Sequence, residues 1–218
     1  MSSIHLELLD KNRGEVFEAL KIFREDAVLG GGTALCLQIA HRFSYDFDLF
    51  LPREITSRDF RILEKAFVLE RVDLNTPDQL NVVTKSAVKV TLLYYPYERL
   101  FSDVQTESLS LISVKDLAAD KAFTIGRRAA WRDYVDAYFL IKSYISISEL
   151  ISLAEKKFAK VFNAKLFLEQ ICYFEDLEPA PIDFVGDHPT NDEVKGFLIR
   201  EAKIYTEKHI LGRENVPA

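Results

Sequence analysis

Within residues 10–25, the apolar side chains of Val16, Phe17, Leu20 and Phe23 recur at helical spacing, which predicts an amphipathic helix. Ala27, Val28 and Leu29 form a short apolar run that stops at Gly30-Gly31-Gly32, the pattern of a strand entering a tight glycine turn. Thr33 then precedes the nearly unbroken apolar stretch 34–40, a helix with Thr33 near its N-terminus. Residues 46–51 read Asp-Phe-Asp-Leu-Phe-Leu. Acid and apolar positions alternate at the start, so this is a strand with one polar face at its entry, closed by Pro52. Its apolar continuation suits a central strand rather than an edge. Residues 57–65 carry helical periodicity, while 67–74, 79–84 and 87–95 are rich in β-branched and aromatic residues. These are three strands of a meander added to the same sheet, and Pro96 ends the last. From Ser113 the period changes. Residues 114–127, 131–143, 147–158 and 163–174 are helical, and strand-like runs vanish. The segment 177–192, with Pro179, Pro181, Gly186 and Pro189, reads as a connection. A final helix over 190–210 enters through Thr190-Asn191-Asp192-Glu193, a cap followed by early acids. The expected organisation is an α/β domain over 1–110 and a helical domain over 111–218.

Composition narrows the classes. With 218 residues, 48% hydrophobic and 28% charged, the chain can bury a substantial core. A net charge of −6 argues against broad coating of duplex DNA, so any nucleic-acid contact is local or made to a single strand or an end. Cys36 and Cys172 stand far apart in apolar surroundings and show neither disulfide nor metal spacing. Charged residues through the first twenty positions leave no secretory apolar region, and no apolar run is long enough to span a bilayer. The expected location is the cytoplasm.

The glycine turn and the acids carry the chemistry. Glycines after a strand let backbone approach phosphate, and the helix beyond offers free N–H groups and the positive end of its dipole. Thr33 adds a hydroxyl. There is no Gly-Lys-Ser/Thr as in a P-loop and no third glycine as in a dinucleotide fingerprint. Asp46 and Asp48 are i and i+2 in a strand, so they share a face with Cα atoms roughly 6–7 Å apart. A magnesium ion, held by one or two carboxylates plus substrate phosphates, suits such a pair. Arg42 and Ser44 stand between turn and acids, and Arg42 can grip phosphate through two N–H groups.

A Gly-Gly-Thr turn, a short helix and an Asp-x-Asp strand resemble the DNA-polymerase-β-like nucleotidyltransferase superfamily. The runs Gly31-Gly32-Thr33-Ala34-Leu35 and Arg42-x-Ser44-x-Asp46-x-Asp48-Leu49-Phe50 are similar to those of its AbiEii/AbiGii toxin family. So is Lys121 followed by Arg128 and Arg132-Asp133-Tyr134-x-Asp136-x-x-x-Leu140. The resemblance covers roughly residues 25–142. It implies an α+β fold, with a polymerase-β-like mixed sheet, flanking helices and a C-terminal helical lobe that closes the site. It further implies that Lys121 and Asp136 complete a centre built on Asp46 and Asp48. The implied reaction is Mg²⁺-dependent (or Mn²⁺-dependent) transfer of NMP from a nucleoside triphosphate. Gly31, Gly32, Thr33, Arg42, Ser44 and Lys89 would bind the nucleotide. By analogy the acceptor is RNA, tRNA for some members, and the partner is an antitoxin within a toxin–antitoxin or abortive-infection pair. A small-molecule or protein acceptor, and a catalytically silent binding module, are the alternatives.

Several residues stay open at this level. Many superfamily members carry a third carboxylate on a neighbouring strand. Here the face of Ala87, Lys89, Thr91 and Leu93 has none, so the third acid comes from Asp136 or the site holds fewer metals. Asp133 and Asp136 share a helix face, and a plain Lys–Asp bridge between helices would also account for Lys121. Trp131, Tyr134 and Tyr138 fit helix packing better than base stacking. His41 reads as a bystander. The run Lys156, Lys157, Lys160 and Lys165 reads as a solvated face, or else as a place for an RNA backbone.

Overall fold

The computed structural model describes residues 4–125, 127–128, 130–177, 180–209 and 211–212. Gly126 at the end of one predicted helix, Pro179 in the predicted connection and Ile210 at the end of the last helix lie outside these. The chain forms two compact units, Met1–Leu117 and Ala118–Ala218.

The first unit begins with α1 (Lys11–Ala19), capped by Asp10, whose side chain accepts from the Arg13 amide. The predicted helix over 10–25 is thus realised as α1 followed by a 3₁₀ turn over Leu20–Phe23. Then come β1 (Val28–Gly30), α2 (Gly31–Ile39), β2 (Phe47–Leu51), α3 (Ser57–Ala66), β3 (Leu69–Asn75), β4 (Gln79–Thr84) and β5 (Lys89–Tyr94). The sheet order is β1-β2-β5-β4-β3. α2 reverses the chain, so β2 lies antiparallel to β1. β5 runs parallel to β2, and β3, β4 and β5 form the antiparallel meander expected from their composition.

Strand alternation sorts the two faces of this sheet. On β2, Phe47, Leu49 and Leu51 are fully buried, while Asp48 and Phe50 between them are only half-buried. Leu80 and Val82 of β4, and Val90 and Leu92 of β5, continue the buried face. Phe17 from α1 stacks on Phe47 beneath it, ring centroids 5.9 Å apart. β2 is flanked on both edges, as its apolar sequence requires. β3 is the edge strand, exposed over nearly its whole length and broken by two register irregularities. α3 owes its start to a reciprocal capping box between Thr56 and Asp59.

The second unit is helical. α4 (Val114–Ile125) leads into it, followed by α5 (Trp131–Ser143), α6 (Ile147–Phe158), α7 (Ala164–Gln170) and α8 (Asn191–His209). α5 is its core helix: Trp131, Tyr134, Val135, Ala137, Tyr138 and Leu140 are all buried, and it packs on α8. The three aromatic residues therefore serve packing, with Tyr134 Oη donating to the Gln170 carbonyl at 2.9 Å. No single helix among the described residues is long and apolar enough to cross a membrane.

Candidate active site

The chain leaves β1 through Gly30 in extended conformation and turns at Gly31, whose φ of +64° is left-handed. That conformation favours glycine. The next residues are already the first turn of α2, whose N-cap, Gly30, has no side chain to cap it. A helix start, with its leading N–H groups and the positive end of its dipole, is the arrangement that binds anions.

Register brings the acids to this point. Gly30 pairs with Asp48 across the β1–β2 ladder. The Asp48 carboxylate lies directly over Gly31: a Cβ on Gly31 would stand 2.3 Å from Asp48 Oδ2. Gly32 is overhung in the same way by Arg42 and Ser44, whose Nη2 and Oγ would lie 2.7 and 3.1 Å from an added Cβ. Thr33 Oγ1 donates to Ser44 Oγ at 3.0 Å and also to the backbone carbonyl of Asp46. The glycine turn, Thr33, Arg42, Ser44 and Asp48 therefore meet at one place, and Asp46 is tied to it through its backbone. Asp46 itself precedes the strand, which starts at Phe47 rather than at residue 46, and is half-buried. Arg42 is only 4% exposed and braces its own loop by donating to the Phe43 carbonyl at 2.9 Å.

Sequence reading missed what holds this loop from below. Arg13 of α1 is buried, and its guanidinium donates to Asp10 Oδ2 at 2.9 Å, to the Ser44 carbonyl at 2.6 Å and to the Leu8 carbonyl at 3.2 Å. It also lies 4.7 Å from the centroid of the Tyr45 ring. A signal existed: Arg13 occupies the same helical stripe as Val16, Phe17 and Leu20, where an arginine must find partners to be buried.

On β5, Thr91 is the register partner of Asp48, and Lys89 is half-buried two residues before it. The strand beside the acids thus carries no carboxylate on their face. Among the described residues no cluster of three or more His, Cys, Asp or Glu side chains could hold a metal. The donors available are the hard carboxylate oxygens of Asp46 and Asp48, with no nitrogen or sulfur ligand. That set fits a magnesium ion whose remaining ligands are phosphate oxygens and water.

Lys121 and Asp136 belong to the second unit. Lys121 Nζ lies 2.5 Å from Asp136 Oδ2 and 2.7 Å from Asp133 Oδ1, and all three side chains are buried. Arg128 adds a bond from Nε to Asp133 Oδ2 at 2.8 Å. Burial pushes the Asp133 carboxyl upward, but the charge of Lys121 and the hydrogen bond and charge of Arg128 outweigh it and hold the group below the usual range. The motif is thus a buried, charge-balanced cluster joining α4 to α5. Lys157 departs from the expected solvated run: it is buried and pairs with Asp120 at 2.8 Å, while Lys156, Lys160 and Lys165 are exposed. His41 is buried, and Cys36 and Cys172 are free thiols.

A mixed sheet that starts a helix with Gly-Gly-Thr and sets an Asp-x-Asp strand antiparallel beside it defines a nucleotidyltransferase. More narrowly, the chain belongs to the nucleotidyl transferase AbiEii toxin family of type IV toxin–antitoxin systems, whose model matches residues 16–100 and 74–199. An uncharacterized protein of Aquifex aeolicus is 30% identical over 187 residues, covering 84% of this chain and 89% of that one. MenT4, a nucleotidyltransferase toxin of Mycobacterium tuberculosis, superposes with a TM-score of 0.61 at 15% identity, over 88% of this chain and 82% of that one. JHP933 of Helicobacter pylori gives 0.56 at 17% identity, over 94% and 96%. Those two likenesses show the shared fold.

Proposed function

We propose that this nucleotidyltransferase is Mg²⁺-dependent, moves NMP from a nucleoside triphosphate to a hydroxyl of RNA, with tRNA as the acceptor class, and acts in the cytoplasm as the toxin of a toxin–antitoxin pair. One observation carries the catalytic part. The Asp48 carboxylate lies against Gly31 at the start of α2, where Arg42 and Ser44 also converge. A triphosphate needs donors and positive charge; a divalent cation needs carboxylates; here they stand within one turn of each other. RNA, the antitoxin and the cellular location rest on family membership.

In this reading the N–H groups of Gly31, Gly32 and Thr33, with Arg42 and Ser44, hold the phosphates in line. Asp46 and Asp48 would hold the cation, which would supply neutralisation of the charge on the departing pyrophosphate. The acceptor oxygen bonds to the α-phosphorus as the bond to the β-phosphate oxygen breaks. A loose transition state asks little of a base, so the hydroxyl proton passes late to solvent, consistent with the carboxylate-free face of β5. Lys89 contacts the nucleotide. Lys121 would stabilise the triphosphate and Asp136 would position or deprotonate the acceptor; that these two residues complete the centre is what the family resemblance implies.

Incubation of the protein with each labelled triphosphate and total tRNA, with Mg²⁺ or with chelator, tests the proposal. Label should enter tRNA only with the metal, and Asp48→Asn should abolish it while circular dichroism stays unchanged. Label in the polypeptide itself or in small molecules would move the acceptor to another class. Transfer retained by a folded Asp48→Asn variant would remove the assignment of the centre.

A further inference from the structure

The strand register aligns one row of residues across the whole sheet: Gly30 on β1, Asp48 on β2, Thr91 on β5, Asn81 on β4 and Leu74 on β3. Directly paired residues share a face, so Asn81 projects from the same side as Asp48, two strands away and hence about 10 Å across the sheet. Gln79 lies two residues before it on that face and donates from Nε2 to Asn81 Oδ1 at 2.9 Å. Both amides are half-buried, and among the described residues neither side chain makes another bond. The joined pair leaves the Asn81 amino group and the Gln79 carbonyl oxygen as one donor and one acceptor. Elsewhere on this face Tyr95 stacks on Phe50 with centroids 4.7 Å apart, and Phe50 is the β2 member of the row that runs through Leu93 to Gln79.

We infer that the Asn81–Gln79 pair reads the edge of the terminal base of a nucleic-acid acceptor. The inference rests on the nucleotidyl-transfer reading of Asp48 and deepens it. An attacking hydroxyl has to lie beside Asp48, and a base on the same nucleotide then falls over Thr91 and the two amides. Paired carboxamides match a donor–acceptor base edge, whereas a phosphate would call for cations, and Lys89 is the single basic side chain of β4 and β5 on this face. The Phe50–Tyr95 stack on the same face is an aromatic surface of the kind that supports unpaired bases.

The experiment compares short RNA acceptors that differ only in the 3′-terminal base, with one labelled triphosphate. The wild-type protein should prefer one terminal base. Asn81→Ala and Gln79→Ala should each lower acceptor kcat/KM by roughly tenfold or more for the preferred base and flatten the preference, with triphosphate KM unchanged. A merely structural role would not alter the ranking of bases, and Asn81→Ser controls for folding. Indifference of the wild type to the terminal base, or an unchanged preference in both alanine variants, would overturn the inference while leaving the transfer reaction standing. If the wild type moves nucleotide to no RNA, the reaction itself fails. The same oligonucleotides are then tested by fluorescence anisotropy, where base-selective binding lost in Asn81→Ala supports the pair and equal binding overturns it.

Discussion

Gly32 lies beneath two polar groups that converge on the helix start, and its lack of a side chain is what admits them. In Gly32→Ala the new Cβ would press on the end of Arg42, 2.7 Å away, and on Ser44 Oγ. Both can swing aside, so the fold should survive, but they would leave the position proposed for phosphate. We expect triphosphate KM to rise about tenfold, the equivalent of ~1.4 kcal/mol, with kcat less affected, as measured by steady-state kinetics. A second residue-scale effect concerns acid stability. Burial pushes the Asp59 carboxyl up, but hydrogen bonds from Arg53 and from Thr56, with the Arg53 charge, bring it down to about 2. A carboxyl depressed in the folded state stabilises the fold above its unfolded value near 4, and that contribution fades as pH falls toward 2. Arg53→Ala removes two bonds to Asp59, at 2.9 and 2.8 Å, and should lower stability at pH 7, where the contribution is fully present, with the difference from wild type shrinking as pH falls toward 2. A pH titration followed by tryptophan fluorescence or circular dichroism reads this.

At the scale of elements, α1 acts on the candidate site without touching its glycine turn. Arg13 fixes the Ser44 carbonyl, and Ser44 in turn meets Thr33 and overhangs Gly32. Arg13→Ala should therefore loosen the loop 42–46, lowering thermal stability and raising triphosphate KM severalfold. Arg13→Lys should recover part of the stability but little of the KM, because one ammonium cannot serve Asp10, Leu8 and Ser44 in three directions. Calorimetry and kinetics on the two variants separate these effects. The elements themselves were largely legible. The alternation in 46–51 set Phe47, Leu49 and Leu51 inward, and the glycine run fixed where β1 ends and α2 begins. The parts that could not be read are those set by distant partners. Nothing local to Arg13 announces that its guanidinium spans to residue 44, and the alignment of Asn81 with Asp48 depends on a strand order in which β5 intervenes. Lys157 looked like one lysine of an exposed run, since Asp120, its partner, lies on another helix.

For the whole molecule, each unit carries its own buried polar device. In the helical unit, Lys121 stands between Asp133 and Asp136 with all three buried. Lys121→Met would leave two carboxylates close together in the interior without the ammonium that joins them. Removing one partner of such a cluster typically costs about 3–5 kcal/mol. We expect urea denaturation of this variant to show early loss of helical signal. Catalytic loss in it would speak to the proposed role of Lys121 only at temperatures where that signal is retained. The sequence pointed to chemistry for Lys121 and Asp136, with a plain bridge as the alternative for Lys121. The structure describes the bridge, and activity measured in well-folded variants decides what else they do.

The left-handed bend at Gly31, with an aspartate oxygen resting over its α-carbon, has a genetic corollary. Every single-nucleotide missense change in a glycine codon installs at least a methyl group, which here would collide with Asp48 Oδ2 on a backbone already strained for any other residue. In a saturation library sorted for nucleotide transfer, position 31 should return glycine alone, whatever the chemical character of the alternatives.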